Sequence, residues 1–571
     1  MRQILTMTLT LLMAVVVQAQ TYWNGTSNKT FSGSGTQTDP YLISTPEQLA
    51  GLAERVNGHE DFAGQYIKLT ADIYLTNFNN LDTTNWKQWE PIGHIARIAG
   101  EDTDTCVFKG HFDGNNHSIF NLYYGDGLGW GDDWDPNDPD FDIDAYLAQL
   151  DYSSWYRALF GVIGGSVENL TLNNTHLCGV TISPLAIEIT PNGIVRNCHA
   201  VNTELQSTTG TLAGLVTNNY GLIENSSVTL SLFSKRLAIG GLVYDKETGI
   251  IRNCSATGTL SLQGVSGAAG LAYANEGLIE QCTAAVDITT MYLWFKTNQG
   301  NHMASGFVQV NRPTGIIREC VASGNLQGDG FSQMAYIAGF CYQNLGLIES
   351  CYATGNLTDL GTSEDSGSHI SMAQFVYKNG VPSNCATCVP EPGFISNCFA
   401  TGIVTLTDVS TGNMMACANS FVAEYYGGGW EIRVPSRQIN CYWNTNGLPS
   451  SSVKNQLGWT GYPVTISYMQ SQAFVDTLNA VASFFGTSQW EYRAGQLPRA
   501  TGVRTTDKTV LFAGGQGTKE DPYQVATKEQ LRNVSWLTNH GYDFRNEYIL
   551  QTADIALNAP QSDWGEVAPV K

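Results

Sequence analysis

The chain has 571 residues, 51 acidic against 29 basic, for a formal charge of −22. That balance excludes nucleic acid and anionic membrane surfaces as natural partners and favours calcium or neutral glycans. Only 14% of residues are charged while 59 are glycine, which suits many short strands and turns rather than long surface helices.

Residues 1–19 have one basic residue, an apolar run from Ile4 to Val17 and the small pair Val17 and Ala19. This predicts a Sec signal peptide, too short to span a bilayer, and export to the cell surface or medium, with the periplasm as the alternative. No cysteine follows the run to carry a lipid anchor, and no later stretch is apolar enough to insert in a membrane.

Residues 20–125 form an opening module with a capping helix and the first coils. Its phrase "GTQTDPYLIST" (Gly35 to Thr45) returns as "GTKEDPYQVAT" (Gly517 to Thr527), and "TADI" at Thr70 returns at Thr552, each 482 positions on. Thr45, Pro46 and Gln48 read as a capping box that opens a helix whose Leu49, Leu52, Ala53 and Val56 share one face. Such a helix covers the open edge of a stacked sheet.

Residues 126–157 are an acidic insertion, "GDDWDPNDPDFDID" at its centre. Asp133, Asp135, Asn137 and Asp144 fall at the first, third, fifth and twelfth places of a calcium loop, but Asp138 replaces the turn glycine. A solvated acidic loop is the simpler reading.

Residues 158–445 repeat. Leu170, Cys198, Ser226, Cys254 and Cys282 are each 28 apart, and Cys320, Cys351, Cys398 and Cys441 continue the motif across insertions. Each is preceded by a phrase such as "LAGLVTNN", "IGGLVYDK" or "ASGFVQVN". One such unit cannot bury its apolar face alone, so the array is predicted to stack as a parallel β-solenoid at about 4.8 Å per coil. The expected fold is all-β: a right-handed parallel β-helix of about 28 residues per coil with short amphipathic capping helices.

In "GIIRNCSATG" both Ile251 and Cys254 face inward, and their spacing of three breaks strand alternation. Asn253 is therefore expected to turn a corner in the left-handed region, with Asn197, Asn225, Asn397 and Asn440 stacked in the same place; Gln281, Glu319 and Ser350 fit this less well. The cysteines become an inward column of free thiols, since about 4.8 Å between Cβ atoms exceeds the usual disulfide spacing. Cys385 and Cys388 lie in an insertion and can pair locally; a zinc site there lacks a second ligand pair. Glu224, Glu280, Glu319 and Glu349 alternate with Arg196, Arg252 and Arg318, as in an outward charge ladder.

Residues 446–505 read as a closing cap, with Phe474, Leu478, Val481 and Phe485 on one helical face, and 506–571 as a second, incomplete opening module. An opening module without its array leaves a strand edge open, which suggests a truncated chain; the alternative is a short appendage docked on the first module.

From Gly33 to Thr501 the chain resembles the GLUG-motif proteins of bacterial cell surfaces, through "AGLV" and "GGLV" with "NCYATG"-like continuations, the lead-in "FKGHFDGNNHSIFNL" and the ending "WEYRAGQLP". The resemblance implies a surface-displayed array found in adhesin-like proteins and beside metallopeptidase domains, and does not by itself imply an activity.

No His-Glu-x-x-His, Gly-x-Ser-x-Gly or phosphate-loop motif is present, and His111 and His117 belong to a turn. No catalytic residue is assigned and no cofactor is required, with calcium the one candidate ion. Aromatics crowd the insertions: Trp130, Trp134, Trp155 and Tyr156; Tyr292 and Trp294; Tyr425, Tyr426 and Trp430. They suit sugar rings or packing over the coils equally. The reading is an adhesin-like binding module for a glycan or surface protein, with a polysaccharide lyase or hydrolase and a passive stalk as alternatives.

Overall fold

The computed structural model describes residues 21–557 apart from 81–85, 99–100, 126–155, 208–210, 235–237, 247, 264–266, 292–301, 329–333, 361–368, 381–392, 406–416, 420–436, 448–460, 540–541 and 543. The expected signal peptide, the candidate calcium-loop residues and Cys385 and Cys388 lie outside the described residues.

The first opening module begins with strand β1 (Tyr41–Ile43), helix α1 (Pro46–Asn57) and strand β2 (Tyr66–Leu69). Thr45 caps α1 by accepting the Gln48 N–H at 3.3 Å, and Pro46 takes the first turn, where its missing N–H costs nothing. The return leg of the box lands one residue early: Gln48 Oε1 accepts from the Ser44 N–H at 2.9 Å. Leu49, Leu52, Ala53 and Val56 are buried as their spacing requires.

Strand β3 (His111–Asp113) pairs parallel with β2, and from there the chain winds through three parallel sheets. In one coil it runs through Thr181–Ile182 in sheet III, Ala186–Ile189 in sheet II and Ile194–Ser207 in sheet I. The order holds wherever all three strands of a coil are described, so strands accumulate into sheets of 26, eight and nine among the described residues. Parallel strands buried on their inner face read as near-continuous apolar runs. Accordingly Val195, Ile223, Ile251, Ile279, Ile317 and Ile348 form one fully buried column, each contributing roughly 1.5–3 kcal/mol of apolar transfer.

The register carries the 28-residue spacing directly. Leu170 pairs with Cys198, and Ser227, Ser255 and Thr283 align behind it, placing Ser226, Cys254 and Cys282 in one column. The residue before each is left-handed without exception: Asn169, Asn197, Asn225, Asn253, Gln281, Glu319, Ser350, Asn397 and Asn440 all have φ between 50° and 58°. Gln281, Glu319 and Ser350 thus turn the same corner as the asparagines. Where asparagines stack they bond amide to amide, Asn197 to Asn169 at 2.9 Å and Asn440 to Asn397 at 2.7 Å. Glu319 keeps the habit by accepting from Gln281 Nε2 at 3.1 Å.

The small-Gly phrase has a steric cause. Between sheets III and II the coils approach so closely that a Cβ on Gly214, Gly241, Gly270, Gly306 or Gly339 would sit 1.9–2.1 Å from a carbonyl oxygen of the next coil. Beyond them the inward aromatics Phe307, Phe340 and Phe375 stack at 4.7 Å, following Leu242 and Leu271 in the same column.

Helix α2 (Gln472–Phe485) closes the array and has two working faces. Phe474, Val475 and Leu478 pack on Phe399 and Tyr442 of the last coils. Val481 and Phe484 instead share a core with Leu511, Phe512, Tyr523 and Trp536 of the second opening module. Phe485 packs at the rim of that core, beside Phe394 of the array, so the stripe from Phe474 to Phe485 is split between two partners, with Phe484 added to the second.

Candidate binding surface

The outer face of sheet I carries the charge ladder. Arg196 binds Glu168 at 3.2 Å and Glu224 at 3.1 Å; Arg252 spans Glu224 and Glu280; Arg318 reaches Glu280 at 2.6 Å. Arg504, from the strand Arg499–Arg504 that follows α2, completes it with 2.7 Å to Glu319 and 3.0 Å to Glu349. Burial works against the Glu280 charge, but hydrogen bonds and charge from Arg252 and Arg318 outweigh it and hold its carboxyl below the ordinary range. A glycosidase acid needs the opposite, a carboxyl kept protonated. Glu319 and Glu349 do flank one arginine, yet their side chains are only 5% and 9% exposed beneath it. The ladder is a structural seam.

The thiols are likewise inert. Each Sγ of the column donates to the carbonyl two residues back, and those of Cys282, Cys320, Cys351 and Cys398 also accept the N–H of the cysteine one coil earlier, as in Cys282 with Glu280 at 3.1 Å and Cys254 at 3.4 Å. Burial pushes Cys198 and Cys441 up to about 12, far from thiolate reactivity. Cys106 stands outside the column, its Sγ 3.6 Å from His59 Nδ1. His111 stands in strand β3 rather than in the expected turn, stacking on Tyr66 and meeting Ser166 Oγ at 3.0 Å, while His117 follows the turn at Asn115 and Asn116 and meets Asp72 at 3.2 Å.

The insertions are organised by topology. Residues 126–155, 292–301, 361–368 and 406–416, the longer connections of this kind, all run from the end of a sheet I strand to the start of a sheet III strand. Four of the long connections therefore fall at one corner. Trp130, Trp134 and Trp155, the acidic run with Asp133, Asp135, Asn137 and Asp144, and Tyr292 with Trp294 belong to that corner's segments but lie outside the described residues. So do Tyr425, Tyr426 and Trp430, which belong to 420–436, a connection from sheet III back to sheet I. Tyr156 is described: it starts the first sheet III strand opposite Thr181 and packs against the cluster of Ile95, Ala158, Val162 and Ile187.

At the base of the acidic insertion lies a group that sequence reasoning missed. Phe78, Trp86, Tyr123 and His176 are half-buried and meet edge to face: Phe78 is 5.0 Å from Trp86 and 4.7 Å from His176, and Trp86 is 5.0 Å from Tyr123. Trp86 Nε1 donates to the Asn80 carbonyl at 2.9 Å, which fixes its ring. Tyr123 precedes the insertion by three residues, and Arg157, just after it, stacks on Tyr124 at 3.2 Å. Phe78 and Trp86 fall outside the 28-residue coil repeat, so its periodicity could not have brought them to Tyr123.

No family model matches the chain, and no curated protein does. Among solved structures it is similar to a Bacteroides ovatus protein described as a "putative immunoglobulin A1 protease", with 16% identity over 69% of this chain and 86% of that one, at a TM-score of 0.27. A likeness that low carries no argument; the fold rests on the strand register. No helix among the described residues is long and apolar enough to cross a membrane.

Proposed function

We propose that the protein is an exported, surface-displayed binding module of the GLUG, adhesin-like kind, which contacts a glycan or a surface protein at the corner between sheets I and III. The observation that supports this reading is the shared corner: four long connections join sheet I to sheet III at one edge, and half-buried rings sit at its base. Rings held by edge-to-face contacts present flat apolar area at little entropic cost, which suits the faces of sugar rings. The seam of paired charges on sheet I and the buried thiols leave those elements to stability. The acidic run at the same corner makes calcium a candidate co-ligand for the insertion.

A glycan array probed with the full chain, with calcium and with chelator, tests the reading. Trp86→Ala with Phe78→Ala is expected to lower binding of any array hit at least ten-fold with an unchanged far-UV spectrum. Full retention of binding by that variant, and by one with 127–154 replaced by a short Gly-Ser linker, removes the corner as the site.

A further inference from the structure

The outward column of sheet I that runs through Ser118, Thr171, His199, Ser227, Ser255 and Thr283 is hydroxylic at every position but one. The exception is His199, on the strand Ile194–Ser207, and its neighbour one coil on is Ser227, first residue of the strand Ser227–Ser234. Both are half-buried, on the face opposite to that of the buried Cys198 and Ser226. Their side chains meet: His199 Nδ1 lies 2.7 Å from Ser227 Oγ, while His199 Nε2 lies 3.1 Å from Asn197 Oδ1.

The amides behind His199 fix its tautomer. Asp113 Oδ1 on β3, which takes the Asn115 N–H at 2.8 Å, also accepts from Asn169 Nδ2 at 3.0 Å, and a carboxylate can only accept. Asn169 therefore turns its Oδ1 to Asn197 Nδ2 at 2.9 Å, and Asn197 turns its own Oδ1 to His199 Nε2. That nitrogen carries the ring proton, and Nδ1 is left with its lone pair on the Ser227 hydroxyl, which donates to it. Burial lowers the His199 pKa from its ordinary value of 6.5, so the ring is neutral at pH 7 and able to take a proton. A hydroxyl bonded to a base that a third group orients is the arrangement that activates a serine. Ser255 stands opposite Ser227 on the next coil, so a second hydroxyl borders it on the same face, the kind of donor that stabilises an oxyanion.

We propose that Ser227 and His199 form an esterase site on the outer face of sheet I, with Ser227 as nucleophile, His199 as general base and Asn197 as the residue that positions the ring. Ser227 Oγ attacks the ester carbonyl carbon while His199 Nδ1 takes the hydroxyl proton. The carbon–oxygen bond to the alcohol then breaks, and the alcohol leaves with that proton, giving an acyl-serine. Water repeats the sequence on the acyl-serine, which frees the carboxylic acid and restores Ser227. The hydroxyl column and the adjoining pair of Arg196 and Glu224 make this face polar and open. It suits a short acyl group on a hydrated carrier, such as an O-acetylated glycan. The site lies apart from the corner assigned to binding, and its test does not depend on that reading.

The full chain is tested with p-nitrophenyl acetate and with a fluorophosphonate probe, from which a nucleophilic serine displaces fluoride. Peptide mass mapping is expected to find the label on Ser227, and Ser227→Ala to lower hydrolysis about a hundred-fold or more. His199→Gln keeps a donor and an acceptor between Ser227 and Asn197, so a structural bridge would survive it; the same loss is expected there because the base is gone, with an unchanged thermal melt. The rate should rise with pH as His199 loses its proton, with a midpoint below 6.5. Asn197→Asp, which sets a negative charge on Nε2–H, should move that midpoint up. The proposal is overturned by absence of label on Ser227, by full hydrolysis in Ser227→Ala or His199→Gln, by no hydrolysis in the native chain, or by a midpoint unmoved in Asn197→Asp.

Discussion

Arg504 and Glu349 lie 155 positions apart and meet at 3.0 Å, with the other guanidinium nitrogen on Glu319 at 2.7 Å. The strand that follows the capping helix thus folds back along the outside of the array and ends a ladder that begins at Glu168. One side chain ties the cap to two coils by charge-assisted hydrogen bonds while α2 ties it by apolar contact.

Arg504→Met is therefore expected to leave two nearly buried carboxylates without their cation and to destabilise the cap by about 2–3 kcal/mol. Hydrogen exchange should show the loss first over 499–504, and the denaturation midpoint of the whole chain should fall. A variant whose exchange over that strand is unchanged would show the pairing to be idle.

The ladder also sets an acid limit. The Glu280 carboxyl is held below its ordinary value of 4.5, so its contribution is fully present above that pH and is lost as pH falls through the folded value. Glu280→Gln is expected to cost about 1–2 kcal/mol at pH 7, with Arg252 and Arg318 partly screened by water, and the gap should be smaller at a pH well below 4.5. Urea midpoints of both proteins at the two pH values check this; a gap that stays constant with pH would refute it.

What was legible in the sequence is what repeats. The spacing of 28 gave the register, because stacking forces equal coil lengths, and a spacing of three between Ile251 and Cys254 gave the corner at Asn253. Gln281, Glu319 and Ser350 looked like exceptions only because residue type is a weaker signal than position: the neighbouring coils impose the left-handed turn on whatever stands there. Arg504, Phe78 and Trp86 were not legible, since their partners are set by chain reversals outside the repeat. Neither was the division of α2, where the stripe of Phe474, Leu478 and Val481 serves two partners in turn. The common corner of the insertions needed the sheets to be assigned first.

The glycine column makes a steric prediction. A Cβ on Gly270 would lie 2.1 Å from the Gly306 carbonyl oxygen and 3.2 Å from the Ala284 Cβ, so neither neighbour can yield without moving a coil. Gly270→Ala is expected to cost about 1–3 kcal/mol, whereas Gly495→Ala, where the added atom meets nothing within 4 Å, should cost only its left-handed strain of about 1 kcal/mol. Equal losses in thermal melts would mean that the coils are free to spread.

The thiol column separates two views of a buried cysteine, as an apolar filler or as a hydrogen-bonding group. At the left-handed corner the Cys254 N–H is turned inward and meets the Cys282 sulfur at 3.4 Å, while that thiol donates to the Glu280 carbonyl at 3.1 Å. One coil of the chain already uses a hydroxyl there: Ser226 Oγ accepts from the Cys198 N–H at 3.1 Å and donates to the Glu224 carbonyl at 2.9 Å. Cys282→Ser is accordingly expected to lose only about 1 kcal/mol, from reduced apolar burial, whereas Cys282→Val strands the Cys254 N–H in the core, the Glu280 carbonyl keeping the Asn253 N–H, and should lose about 1–3 kcal/mol despite its greater hydrophobicity. Guanidinium unfolding of the two variants decides the matter. If valine is the better replacement, the column is held by packing, and the hydrogen bonds through sulfur contribute nothing.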